Sequence, residues 1–475
     1  MNKGILKNLS WLVTANFLTK PLWFLFLIFS ANELGVADFG IYTFSFSFLL
    51  MFSILQELGL ESLVIKDVAA NKNNLNLYFN NVITYKFLSS IFIILIFTVI
   101  IIYSSYSEKI NIALIIMLFF ILSFPVLTLF RAFFRAYEKF KYESISIIIE
   151  KFSAMLFAFI GLMVNGLFGF LIGLVIGNLL SLSYCVYFLF KQIPVLVFKP
   201  TFISIPKLLK DALPFAAAEI FITIYFRLSS VMIMFITDSE VYVGLFNSSY
   251  RLIEMYIALP TLLVAPLYPF ISRSFVDNKT ECMAIANKII QILLIISLPI
   301  VIVVFIDPIR INNFLFTSQY SEAYLGLKTV IFTIIPLSLN VVFGTILAAI
   351  GKQKNAAIAI GIATVINLIT NYFLIQKFNY IGACYTIVLT ESLVTILYYI
   401  NIRKYFGHFT LKQFNLKLGC VLIIFSSTYY LSMYYSISIL ITLLIFISFY
   451  FVLLFVFKIF KVSQIKNYYK LITEK

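Results

Sequence analysis

Long apolar runs separated by short polar links fill nearly the whole chain. They lie near positions 11–31, 39–65, 82–103, 112–134, 145–164, 167–190, 212–236, 243–271, 289–306, 325–350, 356–375, 381–402, 416–435 and 437–457. A helix needs about 20 apolar residues to cross the hydrocarbon core of a bilayer. A barrel strand needs only about 10, with strict alternation of apolar and polar positions. The runs here are continuous and long. They predict an all-α integral membrane protein with about fourteen transmembrane helices.

Composition narrows the class further. Of 475 residues, 62% are hydrophobic and 12% charged, against about 45–50% and 25% in soluble domains. Such a chain cannot clothe itself in polar surface, and 18% aromatic residues exclude intrinsic disorder. The net charge of +15 comes from 35 Lys+Arg against 20 Asp+Glu. In a membrane protein that excess belongs in cytoplasmic loops, not on nucleic acid. With the N-terminus inside, the inner segments carry 26 Lys and Arg, Arg131 and Arg135 among them; the outer ones carry only Lys109, Arg310, Lys328 and Lys377. Both termini are therefore expected in the cytoplasm. Lys3 and Lys7 ahead of the first run, with no small-residue cleavage site, read as a retained first helix.

The longest outer loop, 307–324, leaves no room for a soluble domain. The inner link 191–211 carries Pro194, Pro200, Pro206 and four lysines and separates the first six runs from the next six. It divides the chain into an N-terminal lobe (1–190), a linker (191–211), a C-terminal lobe (212–402) and two further helices with a basic tail (403–475). The halves echo one another faintly. Phe39-Gly40-Ile41-Tyr42 follows an acidic turn, and so does Val243-Gly244-Leu245-Phe246. Repeated halves are common in transporters.

The candidate chemistry lies in charges placed within apolar runs. A cation at a helix centre costs roughly 2.5–3.5 kcal/mol on insertion scales. Five are present: Lys20, Lys86, Lys151, Arg227 and Arg251. Lys86 lies near a run's end and is expected to reach the interface along its flexible stem. Lys151 has the same option or faces a lumen. Lys20, Arg227 and Arg251 are deeper and point to a water-filled cavity. The acids within runs are Glu57, Glu61, Glu150, Glu219, Glu254 and Glu391. Glu57 and Glu61, four apart, share one helix face. Arg251 and Glu254, three apart, can pair within one helix. Glu219 and Arg227 are separated by about 80° around a helix and can look into one cavity. Glu219 and Glu254 are thus candidates for coupling-ion or counter-charge roles. Asn367 and Asn371 share a face.

Catalytic chemistry finds little support. There is no GxxxxGK[ST] loop, one histidine (His408), and four cysteines without a CxxC pair. No cofactor and no metal are expected, and the chain does not read as an enzyme.

Several segments in order resemble the bacterial Wzx-type O-antigen and polysaccharide flippases. These belong to the polysaccharide transporters of the multidrug/oligosaccharidyl-lipid/polysaccharide (MOP) exporter superfamily. The segments are Asn8-Leu9-Ser10-Trp11, Leu34-Gly35-Val36-Ala37-Asp38-Phe39-Gly40-Ile41-Tyr42, Leu58-Gly59-Leu60, Leu208-Leu209-Lys210-Asp211-Ala212-Leu213-Pro214 and Val243-Gly244-Leu245-Phe246. The resemblance covers about the first 400 residues. It implies two six-helix lobes around a central cavity, with two extra C-terminal helices. It also implies export of undecaprenyl-pyrophosphate-linked oligosaccharide across the bacterial cytoplasmic (inner) membrane. The cavity cations it implies fall on Lys20, Arg227, Arg251 and Lys151. Implied partners are the lipid-linked oligosaccharide, membrane lipids, a coupling ion (H+ or Na+), and a glycan polymerase with its chain-length regulator; nucleic acid is not among them. Two alternatives stay open: a drug/cation antiporter of the same superfamily, and an integral-membrane glycan polymerase or ligase.

Overall fold

The computed structural model describes residues 3–193, 196–202, 204–275, 277–407, 416–433, 438–457 and 459. Pro194, His408, the side chains of Asn8, Leu9 and Ser10, and the basic tail beyond 459 lie outside the described residues. Among those described, the regular structure is helical throughout. Ten of the described helical segments are long and apolar enough to cross a membrane, so this is a multi-pass membrane protein of the all-α class. In chain order the helices are α1 (Lys3–Glu57), α2 (Leu60–Ala70), α3 (Leu75–Tyr103), α4 (Glu108–Ala136), α5 (Phe140–Gln192), α6 (Ile205–Thr237), α7 (Glu240–Tyr256) and α8 (Ala258–Val264). They continue as α9 (Leu267–Ser274), α10 (Lys279–Ile306), α11 (Pro308–Leu315), α12 (Ala323–Val330), α13 (Ile334–Ala349), α14 (Gln353–Phe406), α15 (Leu416–Ser432) and α16 (Ile439–Val456).

Three very long helices are broken internally. The breaks fall at Gly35 in α1, at Asn165-Gly166 in α5 and at Asn379 in α14. Each lies in a link that the apolar pattern leaves between neighbouring runs. Elsewhere the pattern is too coarse. The single run at 243–271 is α7, α8 and α9, interrupted at Ile257 and Ala265; Pro266 lacks the N–H that a continuous helix would use there. The run at 325–350 is α12 and α13 joined through a tighter turn at Ile331–Thr333. The link 307–324 contains α11, where Asp307 accepts from the Arg310 N–H and Pro308 opens the helix. Both signals stood in the sequence.

By internal contacts the chain forms two compact units, Met1–Gly244 and Leu245–Lys475. The first contains α1 to α6, so α6 is grouped with the helices before the 191–211 link. Its core includes Val64 of α2, Phe79 of α3, Phe130 and Phe133 of α4, and Cys185 of α5. Two backbone approaches shape this unit. Gly59, at φ +72°, lies where a Cβ would come within 2.7 Å of Ala212 O and within 2.6 Å of Ala216 N. A Cβ on Gly40 would stand 1.8 Å from the carbonyl oxygen of Glu240, and one on Gly244 would stand 2.0 Å from that of Val36. Val36 is four residues before Gly40, and Glu240 four before Gly244. The two echoed Gly-aromatic motifs therefore cross reciprocally, glycine over carbonyl.

Candidate functional site

The first unit concentrates charge on apolar helices, and α4 is its centre. Arg131 and Arg135, one turn apart, leave α4 on the same side. Arg131 is only 7% exposed. Its Nε donates to Ser146 Oγ at 2.7 Å and its Nη2 to Ser181 Oγ at 3.2 Å. The same Nη2 stands 2.8 Å from Glu150 Oε2. The other Glu150 oxygen accepts from Lys151 Nζ at 2.8 Å. Lys151 Nζ in turn lies 4.5 Å from the centroid of the Trp23 ring on α1. Glu150 is thus a buried bridge between a buried guanidinium and an ammonium lying over an indole.

A second set adjoins the first on α4. Arg135 bonds Glu143 at 2.6 Å and Glu61 at 2.9 Å. Lys86 Nζ lies 3.8 Å from Glu57 Oε2 and donates to the Gln56 carbonyl at 3.2 Å. Glu57 also accepts from Thr128 Oγ1. Two sequence expectations are corrected by this set. Lys86 does not reach an interface: it is 1% exposed, because Glu57 and the carbonyl of Gln56 supply partners inside the protein. Glu57 and Glu61 do not share a helix face, since α1 ends at Glu57 and Leu58 and Gly59 take positive φ before α2 starts. The two acids serve different cations.

Other candidates stand as follows. Lys20 is exposed on α1, and no ion pair joins it to another described residue. Its polar neighbours Asn16 and Thr19 donate to carbonyls of their own helix, Leu12 and Ala15. On α6, Glu219 Oε1 accepts from Ser62 Oγ at 3.2 Å, and the Arg227 guanidinium lies 5.3 Å from the Phe46 ring centroid. Both side chains of α6 therefore turn toward α1 and α2. In the second unit, Arg251 Nη1 and Glu254 Oε2 pair at 2.5 Å within α7, as their spacing predicts. Asn371 Nδ2 donates to Asn367 Oδ1 at 2.8 Å and Asn367 Nδ2 to Thr390 Oγ1. Glu391 accepts from Asn340 Nδ2 at 2.7 Å.

In the turn before α5, Lys139 donates to the Gln192 carbonyl, and burial pushes its ammonium pKa down. Burial raises the Asp307 carboxyl at the start of α11 despite the nearby Arg310.

Arg131 and Trp23 were not singled out from the sequence. Its place at the end of an apolar run groups Arg131 with the charges of the link that follows. The readable signal was the alignment of Arg131 and Arg135 on α4 with Glu143, Ser146 and Glu150 on one face of the next helix. Among the described residues no cluster of three or more His, Cys, Asp or Glu could hold a metal ion.

Comparison with known proteins adds three findings. A sequence profile of a family described as polysaccharide biosynthesis protein matches residues 5–275, more than half of the chain. An uncharacterized membrane protein of Methanocaldococcus jannaschii is 20% identical over 431 residues, covering 85% of this chain and 84% of that one. Among solved structures, the lipid II flippase MurJ in an inward closed conformation superposes with a TM-score of 0.74 at 17% identity, covering 94% of this chain and 98% of its own. An inward-facing multidrug resistance MATE transporter of the MOP superfamily gives 0.62 at 14% identity, covering 82% and 95%. A Pyrococcus furiosus MOP transporter, described by the reverse polarity of its binding pocket, gives 0.58 at 14%, covering 86% and 99%.

Proposed function

Since the chain belongs to the polysaccharide biosynthesis protein family and has the fold of MOP transporters, we propose that it is a lipid-linked oligosaccharide flippase. Its substrate is an undecaprenyl-pyrophosphate-linked O-antigen or polysaccharide repeat unit. The headgroup crosses the bacterial cytoplasmic membrane while the polyprenyl tail stays in lipid. A pyrophosphate leaving water without partners carries a severe desolvation cost. Arginine offsets this with fixed, permanently charged donors suited to phosphate oxygens, and aromatic and amide side chains supply contacts for sugar.

One observation carries the reading. On the apolar helices of the family-matched region, Arg227 and Lys151 remain partly accessible while held against the aromatic rings of Phe46 and Trp23. Lys20, Arg227, Arg251 and Lys151 are the proposed headgroup cations. Glu219 and Glu254 are the proposed coupling or counter-charge acids, with H+ or Na+ as the coupled ion. In this reading transport is by alternating access, the chain crosses the membrane about fourteen times, both termini are cytoplasmic, and a glycan polymerase with its chain-length regulator takes the product.

The test is a strain carrying Arg227→Ala and Arg251→Ala. Surface glycan is expected to disappear while the protein remains in the membrane. Normal glycan display in that double variant overturns the binding claim. The likeness to MATE transporters favours a second reading, drug/cation antiport. It predicts altered drug sensitivity with intact glycan on deletion, and the cations on the helices oppose it by repelling cationic drugs.

A further inference from the structure

We propose that Trp23 and Lys151 form a binding subsite for the diphosphate headgroup of a polyprenyl carrier, and that Arg131 and Glu150 are the positioning residues that aim Lys151 into it. This rests on the flippase reading and names a particular group of contacts for it.

An ammonium group has three N–H donors and no acceptor. Lys151 directs one N–H to Glu150 at 2.8 Å and lies over the electron-rich face of Trp23. Its side chain is 30% exposed, which leaves a donor available to an incoming oxygen. Lysine stems are long and flexible, so an unrestrained Lys151 would sample many rotamers. The carboxylate on one side and the indole on the other restrict it.

Glu150 could not act alone. A lone buried carboxylate beside Lys151 would neutralise the cation that the diphosphate needs. Arg131 removes that difficulty by pairing with the second carboxylate oxygen. The three groups together carry a net single positive charge. Arg131 is anchored by two serines, Ser146 and Ser181, so the bridge has a fixed end and a free end. The neighbouring Arg135 is engaged by Glu61 and Glu143 and does not share Glu150. The indole edge and adjoining Phe26, with ring centroids 5.7 Å apart, give an apolar wall on which a prenyl chain or a sugar face can rest.

The chain has two tryptophans, Trp11 and Trp23, and this makes the subsite directly observable. Trp11 is exposed, so Trp11→Phe leaves Trp23 as the sole indole reporter. The full chain in this background, in lipid nanodiscs, is titrated with farnesyl pyrophosphate, farnesol and inorganic pyrophosphate. Binding of tritiated farnesyl pyrophosphate is measured in parallel. Farnesyl pyrophosphate is expected to change Trp23 emission saturably, and farnesol is not. Lys151→Gln weakens the titration at least about tenfold, the scale of one charge-assisted hydrogen bond. Glu150→Gln raises the net charge yet is expected to weaken binding as well and to alter the resting Trp23 emission, while Glu150→Asp recovers part of both.

Tighter binding in Glu150→Gln would mean that bulk charge governs the site, and would overturn the positioning role. Inorganic pyrophosphate binding as tightly as the prenyl compound would overturn the lipid assignment. Tritiated probe bound with no Trp23 response, and unaffected by Lys151→Gln, overturns the subsite but leaves the flippase reading standing. No bound probe at all defeats both. Should Glu150→Gln fail to fold, Lys151→Gln on the accessible side still decides the subsite.

Discussion

The two compact units handle polar groups on apolar helices in different ways. In the first, ionised side chains meet across helices: Arg131 with Glu150, Arg135 with Glu61 and Glu143, Lys86 with Glu57. In the second, hydrogen bonds of amides and hydroxyls carry such contacts, as in Asn367–Asn371–Thr390 and in Asn340, which bonds Thr395 and the buried Glu391 carboxyl group. The ion pairs described there, Arg251–Glu254 and Asp307–Arg310, join residues only three apart. Interhelical hydrogen bonds in membranes contribute about 0.6 kcal/mol on average. A buried ion pair contributes little net stability, yet losing one partner strands a charge and costs about 3–5 kcal/mol. Removing one partner from the interhelical ion pairs of the first unit is therefore expected to cost more than removing an amide bond from the second. Costly charge kept inside apolar helices is better explained by a task for charge than by stability.

The sharpest way to break this contrast is Arg131→Met. It leaves Glu150 buried beside Lys151 alone and is expected to cost about 3–5 kcal/mol, measured by denaturant unfolding in detergent micelles. Adding Glu150→Leu should recover most of that loss, since apolar replacement of both partners is often neutral. A double variant as unstable as the single one would mean that packing, and not stranded charge, sets the cost.

Lys86→Met comes next. With Glu57 partly exposed, the expected loss is about 1–3 kcal/mol in the same assay. A change within about 0.5 kcal/mol is the surface-like result and would return Lys86 to an interfacial role. In the second unit, Asn371→Ala should cost the least, about 0.6–1.7 kcal/mol. A loss as large as that of Arg131→Met would erase the distinction between the units.

Much of the helical pattern was legible because apolar runs and their breakers act locally. Gly35, Asn165-Gly166 and Asn379 all interrupt helices in links the pattern marks. The ion partners were less legible, because whether a lysine near a run's end meets water or a carboxylate is decided by another helix. Lys86 shows this, since its partner lies 29 positions earlier, on α1. Arg131 shows it again: its position at the end of a run points to a loop, while serines and a glutamate from α5 draw it inside. Glu57 and Glu61 part for a local reason: Leu58-Gly59 ends the helix before its periodicity can reach Glu61. The pairing of Arg251 with Glu254 was readable because both partners sit on one helix.

The reciprocal crossing of Gly40 and Gly244 has a consequence for how the chain can vary. Each glycine faces main-chain carbonyl, Glu240 for one and Val36 for the other, and not a side chain that a second substitution could trim. A methyl group added to either half has no compensating partner in the other. The contact behaves like the isologous seam of a two-fold dimer, folded into a single polypeptide. Drift in one copy of the motif is held in check by the backbone of its twin.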